Sequence, residues 1–561
     1  MSQAARFWKI LSIILICAFS LYLLGNQRVP LWDRDEPRYA ECSREMLLSG
    51  DWIVPRFLGD FRLEKPPLIY WCQAAVMSVI GDTAQAARLP SSIAIVLSAL
   101  VLGLMVRRFA GSHRALWSVL IFCTSGLVIA AAKMCITDAV LLLCVLVGQA
   151  CLGIMYAAHQ RGKKAPIWVA GIFWISTGFA GLTKGPQAAG FHFFTLVILL
   201  LLDVGASVGW KRAIAWWQQL QPIFGIPILA IVAAPWMIAI HYRAPGFLDE
   251  LFHKARMHAG GSMEGHGEPP GYHLLLIFGT FFPWSLLLPT AISLAWQNRR
   301  LPAVRFAMAA TAGPWLLMEM VTTKLPFYVL PAFPGLAFLT ADALIRCGRG
   351  QFIDLRKKIF MVAVAVWAVA AVGLSFGLWV TAKISAHPPI AGLMAFSVCG
   401  VMYAAVVAFR FSQGRIMRAA AAMGVGMVIM IAILFMAILP NLDFLQLSER
   451  LVARLQPLGA CGNNVRVAMI DYKEPSLAFY QGGGAREQDD GYLRAVPSSQ
   501  WPRWIIVTKT IWGDPLQINP RMASQLRVVA AEHGIAYADK GREETVLILE
   551  KRPTVSQLAG P

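Results

Sequence analysis

The residues best able to do chemistry gather in one segment, 26–89, which holds eight Lys and Arg residues and nine acidic residues. Within it lie the run Asp35–Arg38 and, later, Glu64–Lys65 followed by two prolines. Carboxylates can remove a proton or stabilise positive charge on a reacting carbon, whereas Lys and Arg can neutralise a phosphate. Opposite charges in so short a stretch indicate a binding surface.

Isolated polar residues occur between the later apolar runs. They are Asp138, Lys184, Lys324, Tyr328 and, in the longer loop 242–272, His253 and Arg256. Because the topology derived below places all of them on one external face, we expect them to join segment 26–89 in a common site.

These residues also have structural interpretations. Asp35 stands where a helix can begin, with an acid at its positive end. Asp138 could be the N-cap of the span that it begins. Arg38, Glu41 and Glu45 could form ion pairs along an exposed helix face. The shared external placement favours a functional interpretation over these alternatives.

Composition identifies the elements that must position the site. Of 561 residues, 57% are apolar and 14% are charged, whereas an ordinary soluble domain is about 25% charged. Repeated apolar runs are long enough to cross a hydrocarbon core of about 30 Å. We predict a polytopic α-helical membrane protein with thirteen spans: 10–25, 90–106, 115–132, 138–157, 166–182, 188–203, 223–241, 273–296, 306–321, 326–345, 359–382, 390–409 and 419–440.

The distribution of positive charge predicts the orientation. Seven short segments hold 21 Lys and Arg residues and a single acid, Asp354. The positive-inside rule makes them cytoplasmic: 1–9, 107–114, 159–165, 204–222, 297–305, 346–358 and 410–418. The run Leu68–Gly81 would extend only about 21 Å as a helix, so we expect it at the interface. The N-terminus is then inside, the C-terminus is outside, and the net charge of +19 does not indicate a nucleic-acid partner.

The tail, 441–561, changes character after the membrane domain 1–440. Short apolar runs at Val465–Ile470, Trp504–Val507 and Val546–Leu549 predict buried strands. Helices are expected near Pro475–Tyr480 and Arg521–His533. The tail is therefore predicted to be a small external α/β domain, and it contains no glycine motif for nucleotide binding.

Several motifs together resemble a known family, the lipid A aminoarabinose transferases. This family belongs to the GT-C class of membrane glycosyltransferases, whose wider clan includes the protein O-mannosyltransferases. The motifs that carry the resemblance are Asp35–Glu41, Ser43–Leu47, Gly50–Trp52, Glu64–Leu68, Tyr70–Trp71, Thr137–Asp138, Thr183–Pro186 and Lys324–Pro331.

The resemblance implies a sugar transfer on the periplasmic face of the bacterial inner membrane. The donor would be a polyprenyl-phosphate sugar, expected to be 4-amino-4-deoxy-L-arabinose on undecaprenyl phosphate, and the acceptor a lipid A phosphate. Arg34 and Pro37 depart from the common family pattern, so another sugar (galacturonic acid, a hexose or mannose) and another glycan or a protein acceptor remain alternatives. A monomer is expected, and a lipid-linked transporter is the competing class.

Roles for individual residues follow from this implied reaction. Asp35, Asp138 and Glu36 are the catalytic candidates, with Asp35 first. The candidates for binding the carrier phosphate are Lys65, Arg38, Arg256, Lys184, Tyr328 and Lys324. The resemblance also suggests Glu64 and His253 as a pair of ligands for a divalent metal such as zinc.

Overall fold

The computed structural model describes residues 2–206, 209–260, 267–351, 354–383, 385, 387–537 and 541–552. Ten helices in this part of the chain are long and apolar enough to cross a membrane. They are Gln3–Leu23, Ala84–Ala110, Thr137–Gln160, Ile167–Lys184, Gln187–Gly205, Pro222–Arg243, Pro326–Gly348, Lys358–Ala382, Ile390–Ser412 and Ile416–Asn441. The expectation of a multi-pass helical membrane protein is confirmed.

Two predicted spans are broken helices. Ser112–Cys123 and Gly126–Lys133 meet at 63°, and Tyr272–Thr280 and Trp284–Gln297 meet at 117°. At the first break, the hydroxyls of Thr124 and Ser125 donate to carbonyls four residues earlier, a pattern that bends helices. At the second, a proline in the connecting residues has no backbone N–H to continue the helix. Counting each pair as one span gives up to twelve in the described chain.

One predicted span, 306–321, is not among these twelve. It forms the helix Pro302–Met320 of 19 residues. Its length of about 28 Å suffices for crossing, but its composition is too polar for it to be counted with the apolar spans. Arg305 pairs with Asp203 at 2.6 Å, and Glu319 accepts a hydrogen bond from the Gly271 backbone N–H at 3.0 Å. Contacts inside the bundle therefore satisfy the charges that this helix carries.

Segment 26–89 packs over one end of the bundle. Its helix Asp35–Ser49 is followed by a small antiparallel pair, β1 (Arg56–Phe57) and β2 (Asp60–Phe61), and by the helix Leu68–Ile80. The last helix has 13 residues and is shorter than a span, as predicted. The two helices pack against each other and place Glu64 and Lys65 just before the second one.

Shorter helices connect and flank these elements. They are Trp210–Ala215, Phe247–Gly260, Leu447–Leu455, Pro475–Gln481, Tyr492–Ala495, Lys509–Trp512 and Pro520–Ala523. Phe247–Gly260 belongs to the loop that was expected to contribute His253 and Arg256.

The tail forms one mixed sheet, in the order β4-β3-β5-β7-β6. Its strands are β3 (Val467–Ile470), β4 (Ala485–Gln488), β5 (Trp504–Thr508), β6 (Leu526–Ala536) and β7 (Arg542–Lys551). β3 is parallel to β4 and β5, whereas β7 is antiparallel to β5 and β6. The predicted α/β domain and its three central strands are confirmed.

One element of the tail was predicted wrongly. The helix expected at 521–533 is only the short turn Pro520–Ala523, and most of that stretch belongs to the strand β6. Its alanines and long polar side chains favour a helix locally. Pairing along the full length of β7 overrides this preference and makes β6 an edge strand of 11 residues.

Candidate active site

The helix Asp35–Ser49 begins with two acids in opposite surroundings. Glu36 is fully buried, and its two oxygens accept four hydrogen bonds: from Arg88 Nε and Nη2 at 3.0 and 2.6 Å, and from the backbone N–H groups of Cys135 at 2.7 Å and Trp32 at 2.9 Å. No oxygen is left for a substrate. The structure therefore corrects the catalytic assignment of Glu36, which instead anchors the helix.

The surroundings of Asp35 indicate a different role from that of Glu36. Its side chain is exposed, accepts no hydrogen bond from another described residue, and does not cap the helix, whose N-cap is Arg34. It lies close enough to the Lys184 ammonium for the two charges to interact. An exposed carboxylate beside a cationic cluster is available to a substrate.

Asp138, Lys184 and Tyr328 are brought together where two spans end. Lys184 is the last residue of its helix and Asp138 the second of another, and Lys184 Nζ lies 2.7 Å from Asp138 Oδ1. The same ammonium lies 4.5 Å from the centre of the Tyr328 ring. Asp138 makes no cap hydrogen bond to its own helix, so the ion pair with Lys184, rather than capping, defines its place.

Lys65 joins this cluster without a partner of its own. Among the described residues its ammonium has no hydrogen bond and no ion pair. Burial and the neighbouring Lys184 charge lower the pKa of Lys65 to about 8, against the opposing effect of Glu64 and Asp138. The positive charges of Lys65 and Lys184 repel each other, and an anion bound near both would relieve this repulsion.

Glu64 is enclosed by cations. Its carboxylate lies 3.0 Å from Arg62 Nη2 and 3.9 Å from Lys254 Nζ. Burial raises the pKa of Glu64, but the charges of Arg62, Lys254 and Lys65 outweigh burial and lower it overall.

The suggested metal pair, Glu64 and His253, stays a prediction. Lys254, the neighbour of His253 in the chain, lies 3.9 Å from Glu64, and a cation in that position repels a metal ion. No group of three or more His, Cys, Asp or Glu side chains is arranged to hold a metal within the described part of the chain.

The remaining candidates for binding the carrier phosphate are Arg38, Arg256 and Lys324, and they lie in different places. Arg38 is half-buried and lines a cavity of about 270 Å³ whose charges are mixed. The other charged residues that line it are the basic Arg34, Lys473 and Arg542 and the acidic Asp471, Glu474 and Glu487. Arg256 is exposed on the helix Phe247–Gly260.

Lys324 is a correction to the candidate list. It is buried, and its ammonium donates to the backbone carbonyls of Glu268 and Val321 at 2.9 and 2.8 Å. Its charge therefore stabilises a turn.

The tail domain docks beside the site through Asp33. One Asp33 oxygen accepts from the Ser476 backbone N–H at 2.9 Å and the other from the Ser476 hydroxyl at 2.5 Å, while the Asp33 N–H donates to the Tyr537 hydroxyl at 2.7 Å. Burial raises the pKa of Asp33 to about 6, although the hydrogen bonds from Ser476 and the charge of Arg34 oppose that rise. The C-terminal domain is thus held against the start of the helix Asp35–Ser49.

Two residues that contact Glu64, Arg62 and Lys254, were not among the candidates predicted from the sequence. Arg62 is buried between Glu64 and the rings of Tyr39 and Tyr70, with its Nε 3.3 Å from the Tyr70 hydroxyl and its guanidinium 5.4 Å from the Tyr39 ring centre. The sequence signal for Arg62 is its position two residues before Glu64, with one leucine between them. Lys254 carried none, because the loop 242–272 gives no pattern that aims a side chain at Glu64.

Comparison with known proteins places these features in a family. The family model described as dolichyl-phosphate-mannose-protein mannosyltransferase matches residues 7–250. An undecaprenyl phosphate-α-4-amino-4-deoxy-L-arabinose arabinosyl transferase from Edwardsiella ictaluri is 30% identical over 390 residues, covering 68% of this chain and 67% of the relative.

The chain belongs to this aminoarabinose transferase family. The resemblance found in the sequence motifs is thereby confirmed. Relatives with the same name include one from Pseudomonas fluorescens, 28% identical over 66% of this chain, and one from Pseudomonas aeruginosa, 30% identical over 64%. The matched part spans 64% of the length of each of these two Pseudomonas proteins.

A solved aminoarabinose transferase structure shows the fold. The crystal structure of ArnT from Cupriavidus metallidurans bound to undecaprenyl phosphate matches with a TM-score of 0.77 and 20% identity, covering 100% of both chains. The predicted GT-C membrane fold with a C-terminal sheet domain is confirmed by this match.

Proposed function

We propose that the chain is a glycosyltransferase that moves 4-amino-4-deoxy-L-arabinose from undecaprenyl phosphate to a phosphate of lipid A. Family membership and the names of the relatives support this reaction. The observation that carries the proposal is Lys184, held 2.7 Å from Asp138 where an apolar span ends, with Lys65 near enough for the two positive charges to interact. Cations at that depth suit a carrier whose phosphate lies at the surface and whose tail lies in lipid.

The proposed reaction is a single displacement at the sugar. A lipid A phosphate oxygen attacks the anomeric carbon, and the bond from that carbon to the carrier phosphate breaks. The electron pair leaves with the polyprenyl phosphate, whose charge Lys65 and Lys184 stabilise. A phosphate monoester has a second pKa near 6, so this acceptor needs no general base.

Asp35 and Asp138 take different parts in this proposal. Asp35, which is exposed and has no hydrogen bond from the described residues, stabilises positive charge that develops on the sugar ring. Asp138 holds the Lys184 ammonium in place through their 2.7 Å ion pair. Arg38 and Arg256 are proposed to assist in binding the carrier phosphate.

We also propose that the site faces the periplasm, with the basic loops in the cytoplasm and the chain acting as a monomer. A membrane-impermeant thiol reagent added outside should label a cysteine introduced at Ser78, which is exposed on the helix Leu68–Ile80. It should not label a cysteine at Ser112, which begins the helix Ser112–Cys123 and lies within the segment 107–114 that is predicted to be cytoplasmic. Labelling at Ser112 alone would reverse the proposed orientation.

Transport is the weaker alternative. It would place an ionisable side chain along a path through the bundle, and Glu319 in the helix Pro302–Met320 is such a side chain. Glu319 lies 3.3 Å from His273 Nδ1 and accepts a hydrogen bond from the Gly271 N–H near the end of its helix. These contacts favour a structural role for Glu319.

The test is transfer by the purified protein in detergent. Undecaprenyl-phosphate donors carrying aminoarabinose, galacturonic acid or mannose are each supplied with lipid A, and the product is weighed by mass spectrometry. The proposal predicts one added aminoarabinose with the first donor, and a loss of transfer of about a hundred-fold or more in an Asp35→Asn variant. Transfer of only another sugar would replace the proposed donor, and no transfer from any of them would contradict the reaction class.

A further inference from the structure

A second large cavity lies in the bundle away from the candidate active site. It has a volume of about 450 Å³ and lies between the helices Ala84–Ala110, Thr137–Gln160, Pro302–Met320 and Phe333–Gly348. Its lining includes Tyr156, which is buried and follows Asp138 by 18 positions on one helix. This part of the cavity is therefore about 27 Å from Asp138 along that helix, and the proposed transfer does not use it.

The walls of this cavity are mainly apolar. Val106, Phe109, Phe306 and Phe338 are among the side chains that line it. Its volume is within the range of about 300–1,000 Å³ that is typical of ligand pockets. A hydrocarbon chain suits such walls, and the lipid around the bundle supplies hydrocarbon chains.

The cavity opens beside a cluster of unpaired cations. An adjoining cavity of about 110 Å³ shares Ala157 and Arg161 with it and is also lined by Arg108, Lys163 and Lys164, with no acid. None of the four basic side chains has an ion pair or a hydrogen bond to another residue in the described ranges. We call Arg108, Arg161, Lys163 and Lys164 the basic rim.

Two other basic residues that line the large cavity are arranged differently. Arg114 and Arg346 both pair with Asp342, each through an Nε that lies 2.6 Å from a carboxylate oxygen. Their charges are therefore partly balanced inside the protein, whereas those of the basic rim are not. The unbalanced charge lies next to the apolar cavity, where an amphiphile would present its headgroup.

We propose that this end of the bundle binds one anionic glycerophospholipid, with a fatty-acyl chain in the 450 Å³ cavity and the phosphate headgroup against the basic rim. The apolar cavity selects a lipid over a soluble anion, and a rim without an acid selects an anionic headgroup over a zwitterionic one. The bound lipid would fill the space between four helices. One of them, Thr137–Gln160, carries Asp138, and another, Phe333–Gly348, follows Tyr328 in the chain.

Native mass spectrometry of the whole protein in detergent tests this proposal. The protein is equilibrated with equal amounts of dioleoyl phosphatidylglycerol and dioleoyl phosphatidylcholine, and the bound lipids are counted. We expect one phosphatidylglycerol per chain. The double variant Arg161→Ala/Lys163→Ala should weaken the retention of phosphatidylglycerol roughly ten- to thirty-fold. The reason is that each basic residue near a membrane surface strengthens the binding of anionic lipid about five-fold.

Two further variants separate a built site from general attraction. Ala157→Trp fills the junction of the two cavities, keeps every charge, and should lose the bound lipid while keeping its unfolding temperature. Arg415→Ala/Arg418→Ala removes two exposed charges from another basic loop and should retain the lipid as the wild type does.

Three results would overturn the proposal. Equal retention of the two lipids would remove the selection for an anionic headgroup. An equal loss in the Arg415→Ala/Arg418→Ala control, or full retention in Ala157→Trp, would show surface attraction only. Displacement of the lipid by inorganic phosphate, or by undecaprenyl phosphate at equal concentration, would assign the site to a free anion or to the carrier.

Discussion

Asp35 and Glu36 are neighbours in the chain, yet the structure surrounds them in opposite ways. Glu36 and Arg88 are both fully buried, and the carboxylate accepts four hydrogen bonds. Asp35 is exposed beside Lys184 and accepts none from the described residues. A charge whose partners are all inside the protein holds the fold, whereas one whose partners are missing is left for a ligand.

The lysines repeat this contrast. Lys133 donates to the carbonyls of Tyr22 and Leu24 and to Asn26 Oδ1, at 3.2, 2.7 and 3.0 Å. Lys65 has no such partner among the described residues and lies near a second ammonium. We therefore expect substitutions of the internally paired residues, such as Glu36 and Lys133, to change stability. Substitutions of the unpaired residues, Asp35 and Lys65, should change turnover.

The largest expected effect is on stability, from Arg88→Ala. Removing the guanidinium leaves Glu36 charged and buried, which should lower the free energy of unfolding by about 3–5 kcal/mol. Chemical denaturation in detergent measures this. The double variant Glu36→Gln/Arg88→Met, which removes both charges, should recover most of the loss. A loss below about 1 kcal/mol for Arg88→Ala would remove the distinction between the two acids.

Lys65→Ala should reduce turnover and leave stability nearly unchanged. Loss of one charge-assisted contact to the carrier phosphate is worth about 1.5–3 kcal/mol, or roughly ten- to a hundred-fold in kcat/KM. Transfer assays over a range of donor concentrations measure it. Lys324→Ala is the matched control, since its ammonium is bound to two backbone carbonyls, and should lower stability while keeping activity per folded molecule. The reverse pattern would exchange the two assignments.

Carrier binding should weaken as the pH rises through about 8. The pKa of Lys65 is lowered to about 8 by burial and by Lys184, so the free protein loses this charge above that value. An anion binds the charged form, and affinity for undecaprenyl phosphate should fall roughly tenfold between pH 7 and pH 9. Lys65→Arg should abolish the fall, because a guanidinium stays charged. An identical pH profile in the two proteins would contradict the role of Lys65.

A further effect of pH on stability is expected where the tail domain docks. Burial raises the pKa of Asp33 to about 6, so the folded state holds a proton more tightly than the unfolded state does. Asp33 should therefore make stability fall as the pH rises from about 4 to about 6. Denaturation of wild type and Asp33→Asn across this range gives the free energy of unfolding at each pH. Its slope against pH should be shallower in Asp33→Asn. The same slope in both proteins would show that the pKa of Asp33 does not differ between the folded and unfolded states.

The membrane region was largely predictable because its signals are local. Apolar runs and the bias of basic residues can be read one segment at a time. The bends were missed because they depend on where Thr124 and Ser125 direct their hydroxyls. The strand β6 was missed because its pairing with β7 is a tertiary contact that opposes local propensity.

The candidate site was predicted as a set but not in its individual roles. Asp138, Lys184 and Tyr328 are far apart in sequence, and the structure does bring them together. Glu36 and Lys324 are the same residue types as true candidates, and only their hydrogen-bond partners distinguish them. Composition and spacing report which groups are present, whereas burial and pairing decide which of them are free to act.

The most direct measurement compares Asp35→Asn with Glu36→Gln, recording transfer per folded molecule and the free energy of unfolding for both. We predict that Asp35→Asn loses transfer about a hundred-fold or more while its stability stays within about 0.5 kcal/mol of the wild type. Glu36→Gln should do the opposite, losing stability while the folded molecules remain active. Full transfer by Asp35→Asn, or inactive but stable Glu36→Gln, would contradict the assignment of these two acids.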